Sequence, residues 1–306
     1  FNIGHIKNKI DKLASGEKEW ILTSAWRNDV VNSDDYRAYV GGTSGLIYGY
    51  VNDGFYTVAD FESFDSKSRT WKLKDGVVDS SPLSDTPRPG NAKFKKLTSV
   101  DPNSTNPYQL TEADRTVIGN TTPKFSGGFG LNATYKGFDM SMFFNFMYDF
   151  DVLNANKIML TTWADNKENN FLMDIASDKR WRNFDDMGNE IRYSPEVLAE
   201  FNKNATMWNP TSIGRPICMS YAVEDGSFLR LSTLTLGYTL PQNLTKKVGI
   251  NNLRFYATCY NVFCLTGYSG FDPEVSTRNK TALTPGVDYS AYPKSRQFVI
   301  GLNLNF

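Results

Sequence analysis

The sequence holds one histidine, His5, and three cysteines, Cys218, Cys259 and Cys264. That set supports neither a zinc hydrolase nor a Cys/His nucleophile. His5 falls in an alternating stretch and reads as a lumen-facing or interface residue of a strand, not as a base. The cysteines are odd in number and form no CxxC. Cys259 and Cys264 would point to opposite faces of a strand, because an odd separation flips the side chain. Neither a disulfide nor a zinc site follows, and Cys259 reads as a small apolar residue. The 33 acidic residues could include a glycosidase pair, but no spacing singles out two of them. The GGF and SGG runs are strand glycines, since no lysine and helix follow them as a phosphate loop requires.

Trp163, Trp181 and Trp208, with Phe171 and Tyr193, sit in the polar stretch 151–225. They could stack on a sugar ring or meet a partner protein. The plainer reading is that they form a small core for that stretch. Glu224 and Asp225 in EDG, with Asp272 and Glu274 in FDP-E, flank alternating segments. They read first as hydrogen-bonding anchors of loops and second as ligand contacts.

The elements that must position these residues are strands. From 124 to 150, Phe125, Gly127, Phe129, Leu131, Ala133 and Tyr135 share one face; Lys136-Gly137 makes a short turn; then Phe138, Met140, Met142, Phe144, Phe146 and Tyr148 share a face on the return. Period-2 alternation over such arms predicts a long hairpin. Usual soluble strands run about 5–6 residues, whereas a tilted membrane strand needs about 9–11. Further strands are predicted over 227–240, with Leu234, Leu236, Tyr238 and Leu240 aligned, over 253–265, and over 296–306, where Phe298, Ile300, Leu302, Leu304 and Phe306 align. Segments 1–12 and 45–57 read as additional strands, and 195–205 as a short helix. Links at 136–137 and 241–252 are short, whereas 58–123, 151–225 and 266–295 are long and polar. Short turns at one end and long loops at the other mark an outer-membrane barrel. A compact soluble domain seldom carries so long an excursion between adjacent strands. The opposite strand faces, with Ser126, Asn132, Thr134, Asn145, Asn303 and Asn305, are polar but little charged, as a wet lumen would be. A soluble β-sandwich or jelly roll would show the same alternation and stays open on pattern alone.

The bulk properties agree. The 306 residues carry 33 basic and 33 acidic side chains, giving no electrostatic case for nucleic acid. Aromatics make up 14% and charged residues 22%, which is not a disordered composition. No 18-residue apolar run exists, so a membrane-spanning helix is excluded and a membrane barrel is not. The opening FNIGHIKNKI has neither an initiator Met nor a signal-like apolar stretch and reads as the inside of a strand. The chain is therefore expected to be a piece of a longer protein, or else a mature domain after signal removal.

Several blocks carry a family resemblance: DRTVIGNTTPKFSGGF (114–129), YKGFDMSMFF (135–144), NAN (154–156), YAVEDGSFLRLSTLTLGYTLP (221–241), LRFYATCYNVFCLTGYSGFDPEVS (253–276) and GVDYSAYPKSRQFVIGLNLNF (286–306), preceded by GLIYGYVNDGFY (45–56) and PGNAKFKKL (89–97). In this order they resemble the SusC/RagA-like TonB-dependent outer-membrane transporters of Bacteroidetes. The resemblance implies an all-β fold, an antiparallel transmembrane β-barrel segment with long extracellular loops. Residues 1–306 would be the carboxy-terminal portion of a plugged barrel of about 22 strands, with the plug domain and amino-terminal strands outside this chain. It implies import of oligosaccharides or peptides across the outer membrane of a Gram-negative bacterium, with a SusD-like surface lipoprotein as lid and TonB as energy source. The remainder of the barrel and outer-membrane lipid would be further partners. Neither catalysis nor a cofactor is implied. Trp163, Trp181, Trp208, Tyr193, Asp272 and Glu274 become candidate contacts to substrate or lid. One departure concerns DPNSTNPYQLTEADRT (101–116): Asp101 and Asn103 fit the family's acidic turn, but Pro107 and Tyr108 do not. A calcium ion would need about 6–8 oxygen ligands, so a satisfied polar turn is expected instead. The alternative function class is a soluble β-rich carbohydrate-binding or hydrolytic domain.

Overall fold

The computed structural model describes residues 1–26, 34–84, 86–100, 103–162, 170–277 and 282–306. Six strands build one sheet: β1 (Asn2–His5), β2 (Phe125–Tyr135), β3 (Phe138–Tyr148), β4 (Phe228–Thr239), β5 (Asn252–Thr266) and β6 (Gln297–Asn305). Their spatial order is their chain order, and every pairing is antiparallel. The expected all-β, antiparallel segment is present, and the sheet does not close on itself within this chain. Strands β2 to β6 contain 11, 11, 12, 15 and 9 residues, the length a tilted membrane crossing requires. No helix among the described residues is long and apolar enough to cross a membrane.

Local chemistry explains the hairpin. Lys136 and Gly137 both take positive φ, 47° and 87°, the combination a two-residue hairpin turn demands. A Cβ at Gly137 would sit 2.7 Å from the Thr239 carbonyl oxygen, so the neighbouring strand enforces glycine there. Register then aligns the apolar residues in rows. One row runs Leu131, Met142, Leu234, Cys259, Phe298; the next runs Ala133, Met140, Leu236, Ala257, Ile300. The register shifts between Phe143 and Phe144 against β4, and between Leu231 and Thr233 against β5. The irregularity moves the apolar face of β4 from even numbers (Leu234, Leu236) to odd ones (Leu229, Leu231). Without it half of β4 would turn its leucines to the other side.

Among the described residues nothing packs on this apolar face. Phe298, Ile300 and Leu302 are 75%, 87% and 51% exposed. Among the described buried hydrophobic residues, only Phe228 and Leu231 lie in the six-stranded sheet. The core sits instead in the connections. Tyr50, Phe94, Leu110, Ile175, Trp208 and Ile217 form one cluster. Tyr36, Ile47, Leu153, Ile158, Cys218 and Val287 form a second, drawn from all three long connections.

The long loops expected over 58–123, 151–225 and 266–295 are present, and their described residues pack together with short strands and helices of their own, a larger core than the small one expected for 151–225. Two strand expectations are corrected. Segment 1–12 is strand only over Asn2–His5. Segment 45–57 splits into Leu46–Gly49 and Asn52–Phe55, because Tyr50 leaves the ladder to pair with 218–220: its amide donates to the Cys218 carbonyl (3.0 Å) and its carbonyl accepts from the Ser220 amide (2.9 Å). The predicted helix at 195–205 is Pro195–Phe201.

Beside the second cluster, Asp35 is buried and accepts from the Ser24 amide at 2.7 Å and the Ser24 hydroxyl at 2.5 Å. Burial pushes its carboxyl up from 3.8 to about 6, with Ser24 offsetting part of the rise. An acid with a raised folded pKa supports folding while protonated, so its contribution is full below the unfolded value and fades as pH climbs through about 6. Stability in detergent should therefore fall by roughly 3 kcal/mol from this site between acidic and neutral pH. Asp35→Asn should flatten that slope in equilibrium unfolding. An unchanged slope in the variant would remove Asp35 as its source.

Candidate functional site

The face of the sheet opposite the apolar rows carries the polar chemistry. Near the short turns, Arg254 on β5 donates to Asp139 on β3 through Nε (2.9 Å) and Nη2 (2.5 Å). The pair crosses the intervening strand over Gly237, where a Cβ would lie 2.5 Å from both partners. The middle of the face is uncharged: Thr235 and Thr258 hydroxyls meet at 2.9 Å, and Ser232 bonds the Asn145 amide oxygen. This is the hydrogen-bonding lining that an aqueous lumen requires, held on rigid strands.

Toward the long connections the same face is covered. Phe228 and Met147 pack with Phe150, Val152, Tyr268 and Val275, which joins the loop body to the sheet. Next to them Arg230 is buried and donates through Nη2 to both Asp272 oxygens at 2.8 and 2.9 Å, and through Nη1 to Asn261 at 2.6 Å. Its Nε lies 3.1 Å from Glu274 Oε2, an ion contact without hydrogen-bond alignment. Glu274 also accepts from Lys294 at 2.8 Å. The FDP-E residues therefore clamp 267–296 onto β4, the anchoring role that the sequence puts first.

Glu224 of the EDG run has an equivalent part. It accepts from Asn154 (3.0 Å) and from the Ser269 hydroxyl and amide (2.8 and 3.0 Å), with Lys157 at 3.5 Å. Burial alone would raise its pKa; Ser269 and the Lys157 ammonium outweigh that and hold it below the ordinary value. Tyr268 donates to Asp288 at 2.6 Å, and burial followed by that bond pushes its phenol well up. Aspartate 225 accepts from the Ser227 amide and hydroxyl and closes the entry to β4.

The aromatic candidates are dispersed. Trp208 is buried against Tyr221 and donates to the Thr161 carbonyl at 3.3 Å. Trp181 is buried with Phe55, Ile191 and Leu198. Tyr193 stacks on Phe64 and lies under Arg69. Trp163 and Asp101 fall outside the described residues. What sequence reading missed is Arg230: one arginine among 33 basic residues carries no signal until β4 and the FDP-E turn are side by side. His5 is exposed, bonds the Lys124 carbonyl at 2.6 Å and packs on Phe125. Among the described residues no group of three or more His, Cys, Asp or Glu is placed to hold a metal ion.

No protein-family model matches the chain. A curated relative, TonB-dependent receptor P3 of Formosa agariphila, is 30% identical over 310 residues, covering all of this chain and 26% of that protein. TonB-dependent receptor SusC of Bacteroides thetaiotaomicron is 39% identical over 88 residues, 28% of this chain and 8% of that protein. Among solved structures, the RagAB peptide transporter superposes with a TM-score of 0.61 at 20% identity, covering 99% of this chain and 26% of that one. The same assembly in its 'closed-closed' state gives 0.58 at 21% identity. The chain thus spans about a quarter of the length of these longer matches, and shares its fold with that part of them.

Removing Asp272 takes away both hydrogen bonds that Arg230 makes to a carboxylate and leaves it the Glu274 ion contact. Asp272→Ala should destabilise by about 1–3 kcal/mol and open 267–296 to protease. Arg230→Met with Asp272→Leu, which removes both charges, should recover most of the loss. A clamp worth nothing would leave the single variant as resistant as the parent.

Proposed function

We propose, for a chain that resembles SusC/RagA-like TonB-dependent receptors along its whole length, that it forms the carboxy-terminal barrel wall and surface loops of an outer-membrane nutrient importer. The observation that carries this reading is the bare apolar face. Five strands present aligned Leu, Met, Phe and Ile rows with no protein against them. Water would not tolerate a continuous patch of that kind, while lipid would. The polar opposite face would line the lumen, and the free edges at β1 and β6 would pair with the remainder of the barrel.

In this reading the strands' up-and-down order places 136–137 and 240–251 on the periplasmic side. The packed body of 6–124, 149–227 and 267–296 then stands outside the cell. There it would meet a SusD-like surface lipoprotein and the substrate, an oligosaccharide or a peptide. Of the candidate contacts, Tyr193 is the partly exposed aromatic, whereas Trp181, Trp208 and Asp272 are buried and would act by holding the body's shape. Energy would come through TonB by way of segments outside this chain, and the work would be binding, movement and release without catalysis. A soluble carbohydrate-binding or hydrolytic domain would instead need a core beneath the sheet, and the described residues place none there.

Single spin labels along β6 decide between lipid and water. Labels at 298, 300 and 302 should report lipid, and those at 299, 301 and 303 an aqueous surface. Leu302→Arg should cost about 2–4 kcal/mol if it lies near the midplane. Equal accessibility at odd and even positions would overturn the membrane reading.

A further inference from the structure

One part of the loop body has a chemistry that neither the barrel nor its anchors use. A cleft of about 410 Å³ is lined by Arg180, Arg182 and Arg192 with Trp181, Asn183 and Phe184. A smaller cavity of about 50 Å³ shares Asn183 and Arg192 and adds Arg69 and Arg88. The larger volume is of the size that takes a small ligand. Five guanidinium groups thus surround two cavities that share a wall.

Three of the five guanidiniums lie against ring faces. The Arg182 Cζ lies 4.4 Å from the Phe201 ring centre; Arg192 lies 5.4 Å from Phe184 and 5.5 Å from Tyr193; Arg69 lies 4.7 Å from Tyr193. Stacking fixes the plane of the group and leaves its in-plane N–H donors for an acceptor. For Arg182 and Arg192 the negative partners stand partly in water. Arg182 pairs with Asp186, whose side chain is 79% exposed, and such a pair contributes little. Arg192 pairs with the partly exposed Glu190. Arg180 donates to the Ile175 carbonyl at 3.1 Å and has no ion-pair partner among the described residues. The carboxylate in the lining, Asp185, is closed on its own turn: it accepts from the Met187 and Asn189 amides and the Asn189 side chain at 2.8–2.9 Å. One donor remains over. Trp181 Nε1 is buried with no hydrogen-bond partner among the described residues and Trp181 lines the cleft, whereas Arg192 Nε is in ion contact with Glu190 Oε1. Buried donors left unmet are costly, and an incoming acceptor removes that cost.

We propose that this cleft binds the carboxylate of a short acidic ligand, with Arg180 and Arg192 as its main donors. A planar carboxylate accepts two parallel N–H bonds from one guanidinium, and Asn183 with the exposed Phe184 ring meets the uncharged part. The proposal rests on the importer reading and names within it a substrate class, acidic over neutral.

The test uses the complete receptor in detergent and isothermal titration at low salt. One arm compares a uronic-acid trisaccharide with its neutral hexose counterpart. The other compares triglutamate with triglutamine. At least one acidic probe should bind about tenfold tighter than its neutral partner, and the arm that does so identifies the source of the carboxylate. Arg180→Gln with Arg192→Gln should bring the ratio to within about twofold, while Arg215→Gln, which removes a positive charge outside the cleft, should leave it. Raising the salt on the unaltered protein should shrink the same ratio, a reading independent of whether the variants fold. No acidic preference in either arm, or a preference intact in the double variant, would overturn the proposal. Uptake by cells carrying the receptor is scored separately. Equal uptake of acidic and neutral ligand removes the cleft's role and leaves the importer standing. Preferential binding without any uptake removes the importer and leaves the cleft.

Discussion

The apolar face of the six-stranded sheet has no packing partner among the described residues, and the rest of the structure is organised around that fact. A sheet normally buries one face against another layer. Here the rows through Leu131 and Ala133 run across five strands and end at Phe298 and Ile300, which stand free. Backbone pairing holds the strands together, but no core underlies them. Such a face favours an apolar medium, and the free ladder edges at β1 and β6 favour pairing.

The missing core reappears in the connections. Because the strands alternate in direction, all three long segments emerge at the same end, and only there can they find one another. Tyr36, Leu153 and Val287 come from three different connections and share one cluster. The joint to the sheet is made twice. Phe228 and Tyr268 supply an apolar contact, and Arg230 with Asp272 and Glu274 an ionic one. Buried ion pairs give little net stability, so the clamp's value lies in register. Arg230 Nη2 meets both Asp272 oxygens while Nη1 meets Asn261, and these directional bonds set where 267–296 lies over β4. The lower polar face is built on the same pattern, with Asp139 and Arg254 tied across Gly237.

Division of labour between sheet and body suits a transporter wall. Long strands with uniform rows need few special residues and tolerate exchange within the apolar class. The body, by contrast, concentrates the buried charges and the tightly packed aromatics. Chemistry that discriminates between ligands belongs in such a body, because its loops converge while the sheet spreads its side chains out evenly.

Strand positions were legible in the sequence because alternation is a local property: the hairpin at 125–148 is where period 2 puts it, and β5 and β6 differ from expectation by a residue or so at their ends. The connection lengths were legible too, and with them the sidedness of the meander. The family blocks added the resemblance to TonB-dependent transporters. The register irregularity in β4 was not legible, since its odd and even leucines read as a broken pattern until β3 and β5 are placed beside them. The long segments passed for loops because their apolar residues keep no period; their core is assembled from positions more than a hundred residues apart, as in Tyr50 with Trp208. The clamp on Arg230 and the ring of arginines around Trp181 were hidden for the same reason. A charge has no meaning in a sequence until folding decides which carboxylates it meets, how much water reaches it, and which ring it lies upon.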